Sequence, residues 1–419
     1  MKPDVQLFRN NNIFLLPIAY WRRIKGMTNA IWILALLFLP TALLSQTKAP
    51  QEGDTTYYKT LIPETKQSIL KNMSMIANMR FAERNEFVDG DHVKSRFTTE
   101  QFRLEIKGKV HDKVYFRFRD RYTRAQEPQS VDGISRSTDL AFIRVDLSKK
   151  WSISAGKMCA DWGAYEFDYN PIDIYEYSDI IEFADNFLSG VGFSYVANSK
   201  NQFTFQILDS RTKTFDELYG EQPKHTESKA PLALVGNWRG SLFEGKFNTI
   251  WSYAVHTEAK NTFMQYIALG NQLKMGKLTA EYDFKLSDED LDRTTIVSET
   301  VPDALYPFAL ENTLYIGHWL HLYYRASPKI NLAFVVMMDI AKWKDTDLDP
   351  QKTSDDIRTA WGFVPTIEYY PFKDLNLRVY ANWVGRSYDY SDYAKTRFGA
   401  VDHDTGRFSI GFVTPLGIF

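Results

Sequence analysis

From residue 73 to the end of the chain, apolar and polar residues alternate with a period of two. Turn residues divide this pattern into runs of roughly 10–15 residues, a length that suits tilted strands crossing a bilayer. Such alternation gives a strand one apolar face and one polar face. The pattern predicts sixteen strands, although fourteen or eighteen are also compatible with it. The strands are placed at about 73–87, 97–110, 113–124, 138–148, 151–158, 187–198, 201–212, 230–239, 245–258, 261–274, 277–288, 312–326, 329–343, 358–371, 374–390 and 404–419.

The connections between the predicted strands alternate in length. Those after odd-numbered strands are mostly long, at 88–96, 125–137, 159–186, 213–229, 289–311, 344–357 and 391–403. Those after even-numbered strands are short, at 111–112, 149–150, 199–200, 240–244, 275–276, 327–328 and 372–373. A short connection at 259–260 breaks the alternation. Short periplasmic turns and long extracellular loops are typical of outer-membrane barrels. We therefore predict an all-β fold, a transmembrane antiparallel β-barrel of about sixteen strands over residues 73–419.

The first 45 residues have the order of a secretory signal peptide. An apolar run at 30–44 is too short for a membrane-spanning helix, which needs roughly 20 residues. Basic residues precede it and small or polar residues follow it, so we expect cleavage near Ser45 and Gln46. Met27 is an alternative start, and an uncleaved membrane anchor is the alternative interpretation. Residues 46–72 are predicted to be a periplasmic lead-in to the barrel.

Composition excludes several classes of protein. The chain has 419 residues and a formal charge of -2, which gives no strong attraction to nucleic acid. Cys159 is the single cysteine, so a disulfide framework or a cysteine zinc site is excluded. The chain has no glycine-rich phosphate loop and no CxxC or HExxH motif. We therefore expect no enzyme activity, no cofactor and no metal site.

Two weaker motifs run against that expectation. Asp345, Asp347 and Asp349 have the spacing of a calcium loop, but Pro350 stands where the sharp turn of an EF-hand requires glycine. A solvated loop explains them better. The pair Ser252 and His256 shares one strand face, as a nucleophile and its base would, but no third orienting group is identifiable.

Basic residues recur on the polar face of the first four strands. An arginine that faced lipid at the middle of the bilayer would cost roughly 2–4 kcal/mol, so these side chains are expected to face the lumen. Adjacent strands would place them side by side as a basic wall. The alternative is that Glu105, Asp146 and neighbouring acids neutralise the wall, which then only braces the barrel. The predicted pore-lining residues are Arg80, Arg84, Arg103, Lys107, Arg117, Arg119, Arg121 and Arg144.

The connection at 159–186 mixes acidic and aromatic residues, and no Lys, Arg or His occurs from Met158 to Ser199. We predict that it is a third loop folding into the barrel, where its carboxylates face the arginines across the pore. Fixed charges at a constriction set the ion preference of a pore. The alternative is an external loop that contacts lipopolysaccharide through divalent cations. The predicted constriction residues are Asp161, Glu166, Asp168, Asp173 and Glu176.

A strand ending in Gly156-Lys157, then Trp162-Gly163 and a long third loop, resembles the phosphate-selective porins O and P. The run WGAYEFDYNPIDIYEYSDII is similar to Bacteroidota members of that family. The resemblance covers about 73–419 and implies a sixteen-stranded barrel, an inward third loop, trimers and passive diffusion of small solutes. Arg80, Arg103, Arg117, Arg119, Arg121 and Arg144 match the arginine ladder of phosphate-specific members. The acidic third loop departs from their basic constriction, which argues against a simple phosphate channel.

These observations predict a porin in the bacterial outer membrane. It would pass small polar or charged solutes, phosphate or other anions among them, down their gradients. Expected partners are outer-membrane lipid and lipopolysaccharide, the solutes themselves and two further copies of the chain in a homotrimer, with no nucleic acid. The alternative is a non-conducting outer-membrane barrel that serves structure, secretion or surface binding of glycan or protein.

Overall fold

The computed structural model describes residues 72–123, 130–344 and 348–418. In this part of the chain sixteen antiparallel strands form one closed barrel, and β1 pairs with β16 to close it. This architecture confirms the predicted fold. The strands are β1 (Met73–Val88), β2 (Asp91–His111), β3 (Val114–Arg121), β4 (Thr138–Asp146), β5 (Trp151–Cys159), β6 (Phe187–Asn198), β7 (Asn201–Asp209), β8 (Leu232–Leu242), β9 (Phe247–His256), β10 (Met264–Met275), β11 (Leu278–Leu291), β12 (Glu311–Ser327), β13 (Ile330–Trp343), β14 (Asp356–Tyr369), β15 (Arg378–Tyr390) and β16 (His403–Gly417). The predicted signal peptide lies outside the described residues, as does the lead-in except for Asn72.

The period-two pattern sorts polar side chains into the lumen and apolar ones toward lipid, as β11 illustrates. Glu281, Asp283 and Lys285 alternate along this strand and are buried inside the barrel, whereas Tyr282 between them is 40% exposed on the outer surface. Successive side chains of a strand point to opposite faces. Outer apolar residues remain in contact with lipid, and inner polar ones find partners in the lumen.

In the described part of the chain, all helices lie in the connections between strands. They are α1 (Tyr165–Asp168), α2 (Asp179–Phe183), α3 (Phe215–Tyr219), α4 (Ile296–Thr300) and α5 (Asp392–Phe398), and a 3₁₀ turn covers Phe243–Gly245. Within the described ranges, no helix is both long enough and apolar enough to cross a membrane.

Three predicted connections are wrong, among them the short turn placed at 372–373, which spans 370–377 between β14 and β15. The first was expected to be a long loop at 88–96, but β2 begins at Asp91 and only Asp89 and Gly90 join it to β1. Both have positive φ, 51° and 88°, which a tight hairpin turn requires. Asp-Gly is a strong hairpin signal, and it outweighs the expected alternation of short and long connections here. The connection expected to be short, at 259–260, instead spans 257–263 and belongs with the longer loops.

The end of the barrel differs from one further expectation from the sequence, a bulge in the last strand near Pro415. A bulge near Pro415 would bring the terminal aromatic residue into phase with the outward residues Phe408, Ile410 and Phe412. The pairing of β1 with β16 instead runs without a register shift from Ile76 opposite Gly417 to Val88 opposite Thr405. The predicted bulge is therefore wrong for the described residues. Phe419 lies outside them.

Candidate functional site

The register of β2, β3 and β4 brings basic side chains together on the lumen face. In the strand register, Arg103 lies directly opposite Arg121, and Lys107 lies opposite Arg117. Arg144 on β4 pairs with the β3 residue two positions before Arg117 and so shares its face. Paired positions on antiparallel strands project to the same side of the sheet. We use the name basic wall for Arg103, Lys107, Arg117, Arg119, Arg121 and Arg144.

Asp139 binds three arginines of the basic wall, and sequence reasoning missed it. Its carboxylate lies 3.2 Å from the Nε atoms of Arg103 and Arg119 and 2.7 Å from a terminal nitrogen of Arg121. The Asp139 side chain has no exposed surface. Asp139 is the second residue of β4. The residues around it in the sequence do not reveal its role, because that role depends on which strands lie beside β4.

Two further carboxylates lie within the basic wall. Both belong to the acids that the alternative interpretation expected to neutralise it. Glu105 pairs with Arg117 at 3.1 Å and with Lys107 at 3.4 Å, and Asp146 pairs with Arg144 at 3.1 Å. Six basic side chains therefore share three carboxylates, and the wall keeps a net positive charge.

Exposure divides the wall into a buried and an accessible part. The side chains of Arg103 and Arg119 are only 3% and 7% exposed, so they stabilise the wall. Lys107, Arg117 and Arg144 keep 38%, 33% and 40% of their side-chain surface exposed. These three are the basic residues that a solute in the lumen can contact most readily.

Arg80 and Arg84 on β1 have a different environment from the basic wall. Arg80 is buried, pairs with Glu100 at 2.8 Å and donates to the carbonyl oxygens of Ile172 and Ile174 at 3.1 and 2.5 Å. It therefore holds the segment 160–186 against the barrel. Arg84 pairs with acids of β1 and β2, Glu86 and Glu100.

The segment 160–186, hereafter the third loop, packs against inward-facing residues of distant strands. The Trp162 ring meets the Tyr266 ring edge-on at 4.5 Å between centroids. At Gly270 on β10, a side chain would come within 2.8 Å of the Ala164 Cβ atom. Because Gly270 has no side chain, the third loop can pack closely against β10.

A buried ion pair anchors the third loop to β11. The Glu166 carboxylate binds the Lys285 ammonium, and neither side chain has exposed surface. Ser178 donates both its backbone N–H and its hydroxyl to Glu166, at 2.6 and 2.7 Å. The backbone N–H groups of Tyr165 and Glu166 donate to Asp283 at 3.2 and 2.8 Å. Glu166, predicted as a constriction residue, is therefore a buried anchor.

The other predicted acids of the third loop also pair with basic residues. Those partners lie on the inward faces of β8, β15 and β16, outside the four strands whose basic residues were predicted to line the pore. Partial exposure leaves these acids in contact with the lumen. The pairs are Asp161 and Asp168 with Arg239 at 3.7 and 2.7 Å, Asp173 with Arg378, and Glu176 with Arg407 at 3.1 Å.

Glu182 on α2 is an acid of the third loop that interacts electrostatically with Arg121 of the basic wall. Burial among protein groups raises its pKa, and the nearby Glu176 and Glu166 raise it further. The guanidinium of Arg121 acts in the opposite direction, which places Glu182 within electrostatic reach of the wall. Glu182 was not predicted as a site residue, although it belongs to the same acidic run.

Arg293 joins the end of the third loop to the extracellular loops. It binds the Glu258 carboxylate and lies 2.9 Å from Asp185. Thr212 donates its backbone N–H and hydroxyl to Asp185 at 3.0 and 2.9 Å. Burial alone would raise the pKa of Asp185, but Arg293 and the Thr212 hydrogen bonds outweigh burial and lower it. The Arg293 guanidinium and its partners thereby link the connections that follow β5, β7, β9 and β11.

The weaker motifs are used structurally. Ser252 donates to the carbonyl oxygens of Trp162 and Gly163, so its hydroxyl serves the third loop rather than His256. Asp349 pairs with Arg397 at 3.0 Å and accepts from the Tyr393 hydroxyl at 2.7 Å. Asp345 and Asp347, the other members of the calcium-like spacing, lie outside the described residues.

Solved structures of outer-membrane proteins share this barrel at low sequence identity. The channel DcaP of Acinetobacter baumannii has a TM-score of 0.58 and 12% identity, covering 82% of this chain and 97% of that one. OprB of Pseudomonas putida has a TM-score of 0.53 and 12% identity, covering 84% and 96%. OmpF of Salmonella typhi, solved with daunomycin, has a TM-score of 0.51 and 11% identity, covering 82% and 98%. A comparison with curated protein sequences returned no match.

The family model described as phosphate-selective porin O and P matches residues 79–412, which is nearly the whole barrel. This match and the closed barrel place the protein in the bacterial outer membrane as a channel for small solutes. The chain belongs to the phosphate-selective porin O and P family.

Proposed function

We propose that solutes pass through a charged constriction between the basic wall and the face of the third loop that carries Glu182. Transport is passive diffusion, with no catalytic step and no cofactor. The solutes are small and polar, and the pore prefers anions. The observation that supports this proposal is that the two charged surfaces differ in how many of their charges are accessible. Lys107, Arg117 and Arg144 remain accessible, whereas most third-loop carboxylates are bound to basic partners of their own.

Charge balance gives the expected preference. Fixed charge at a constriction concentrates mobile ions of the opposite sign over about 8–10 Å at physiological salt. The accessible cations of the wall are close enough together to act as one positive surface. Glu182, within electrostatic reach of Arg121 at the other end of β3, adds negative charge on the approach to them, so the expected anion preference is moderate rather than absolute. Phosphate is one candidate solute, but the basic constriction associated with phosphate specificity is replaced here by an acidic loop.

Planar-bilayer recording tests the proposal. Purified protein should give stepwise ohmic conductance, and the reversal potential in a potassium chloride gradient should show preference for chloride. Replacing Arg117 and Arg144 with Gln should move the reversal potential toward cations. Well-folded protein that stays silent would favour the non-conducting alternative. An unchanged reversal potential in the double variant would show that the basic wall is structural.

The homotrimer and contact with lipopolysaccharide complete the proposal, and the family resemblance supports the homotrimer. Mass measurement of the detergent-solubilised protein tests the first, since a trimer should have three times the mass of one chain. Comparing insertion into liposomes with and without lipopolysaccharide tests the second. A monomeric mass would contradict the trimer without affecting the pore.

A further inference from the structure

Aromatic residues interleave with the accessible cations on β3 and β4. Tyr115 pairs directly with Arg144, and Arg117 pairs directly with Phe142. Along each strand the aromatic and basic members are two residues apart, so all four share the lumen face. Each cation therefore has one aromatic neighbour across the sheet and another along its own strand. Lys107 on β2 continues the pattern beside Arg117.

The two rings and the Arg144 guanidinium lie close together. The guanidinium carbon of Arg144 lies 4.9 Å from the centroid of the Tyr115 ring. The Tyr115 and Phe142 centroids are 6.4 Å apart, with the ring planes inclined by 51°. Stacking on an aromatic face holds a guanidinium flat and leaves its N–H edge available. The result is a surface with two ring faces and several cationic donors.

The charge on this surface is not fully balanced by its own carboxylates. Glu105 serves Arg117 and Lys107 together, and Asp146 serves Arg144. Three cations thus share two carboxylates. All three cations keep about a third or more of their side-chain surface exposed. An added anion would therefore meet both unsatisfied charge and accessible donors.

The surface lies toward the end of the barrel that has short turns. Tyr115 is the second residue of β3, directly after the short turn that follows β2, and Arg144 lies near the last residue of β4. Arg119 and Arg121, higher on the same strand, are the members bound by Asp139. A solute that had passed the third loop would reach this surface on its way out.

We propose that Tyr115, Arg117, Phe142 and Arg144, with Lys107 beside them, form a subsite for aromatic carboxylates and other planar aromatic anions. A carboxylate matches the two parallel donors of a guanidinium. An attached ring packs against the Tyr115 and Phe142 faces. An inorganic anion gains only the charge, and an aliphatic carboxylate lacks the ring contact. The inference rests on the proposed pore, because the ligand must enter the lumen.

Equilibrium binding to detergent-purified protein tests the subsite without requiring conductance. The probes are benzoate and cyclohexanecarboxylate, which have the same charge and similar size but differ in aromaticity. Isothermal titration calorimetry should show benzoate binding about threefold to tenfold more tightly, the range expected for one aromatic contact. The double variant Tyr115→Leu/Phe142→Leu should reduce the ratio to near one. Tyr323→Leu, which removes an aromatic side chain from β12, is the matched control and should leave the ratio unchanged.

Each outcome has a distinct meaning. Equal affinity for the two probes, or a ratio that survives the double variant, overturns the subsite. Loss of affinity for both probes in Arg144→Gln supports the cationic half of the site. Block of the chloride current by benzoate in bilayers gives a second readout. A silent channel that still binds benzoate selectively would refute the proposed pore and leave the subsite standing.

Discussion

The buried pair of Glu166 and Lys285 gives the sharpest test of how the third loop is held. Changing Glu166 to Gln keeps the shape of the side chain but leaves the Lys285 ammonium unpaired where neither side chain has exposed surface. Breaking a buried ion pair by removing one partner typically costs about 3–5 kcal/mol. At about 1.4 kcal/mol for each factor of ten, the docking equilibrium of the third loop should shift by roughly two to nearly four orders of magnitude.

Single-channel recording measures this shift directly. Wild-type channels should show steady open levels, because the third loop is anchored at several points. Glu166→Gln channels should flicker between levels as the loop leaves and rejoins β11. Limited proteolysis of the purified protein should show faster cleavage within residues 160–186. Both readouts follow loop mobility and do not depend on which solute the pore carries.

Two variants control for effects of charge and of folding. Glu182→Gln makes the same chemical change on the same loop, but no ion pair of Glu182 within 4.0 Å is found among the described residues, so its open levels should stay steady. Glu166→Gln combined with Lys285→Met removes both charges and should recover much of the lost docking free energy. If Glu166→Gln folds normally and records as quietly as wild type, the reasoning about this anchor is refuted.

Three further predictions address other parts of the site. Arg293→Met should strand the Glu258 carboxylate and destabilise the extracellular loops by about 3–5 kcal/mol, measured as a lower urea midpoint. Gly270→Val should push Ala164 and the third loop away from β10, measured as increased conductance. Because the pKa of Glu182 is raised, anion preference should increase as pH falls, beginning above the usual glutamate range near 4.5. Glu182→Gln should weaken that pH dependence of the reversal potential and leave the part due to Asp161, whose pKa burial also raises; an undiminished dependence in the variant would contradict the assignment.

Strand placement could be predicted well because it depends on local alternation. Most predicted strands agree with the structure to within a few residues, since polarity with a period of two acts on each strand separately. The first connection was predicted as a long loop from the alternation of connection lengths, without regard to the turn preference of Asp89 and Gly90. Their positive φ angles show that the Asp-Gly pair was the better guide.

The basic wall shows where prediction from local pattern stops. The inward phase of Arg103 and Arg117 follows from the cost of facing lipid. Whether each side chain is accessible or bound does not, because Asp139 reaches three arginines through the register of β2, β3 and β4. Nothing in the residues around Asp139 indicates that it is the shared partner.

The sequence by itself determined the barrel, the inward phase of its charged residues and the unusual composition of the third loop. Only the tertiary structure decided which charges neutralise one another. Glu166 and Lys285 are 119 residues apart and meet only because the barrel closes and the third loop crosses its lumen. Alternation is a property of neighbouring residues, whereas an ion pair across a lumen depends on strand number, register and loop path together. That is why the acids of a loop expected to face the pore are largely bound to basic residues of β8, β11, β15 and β16.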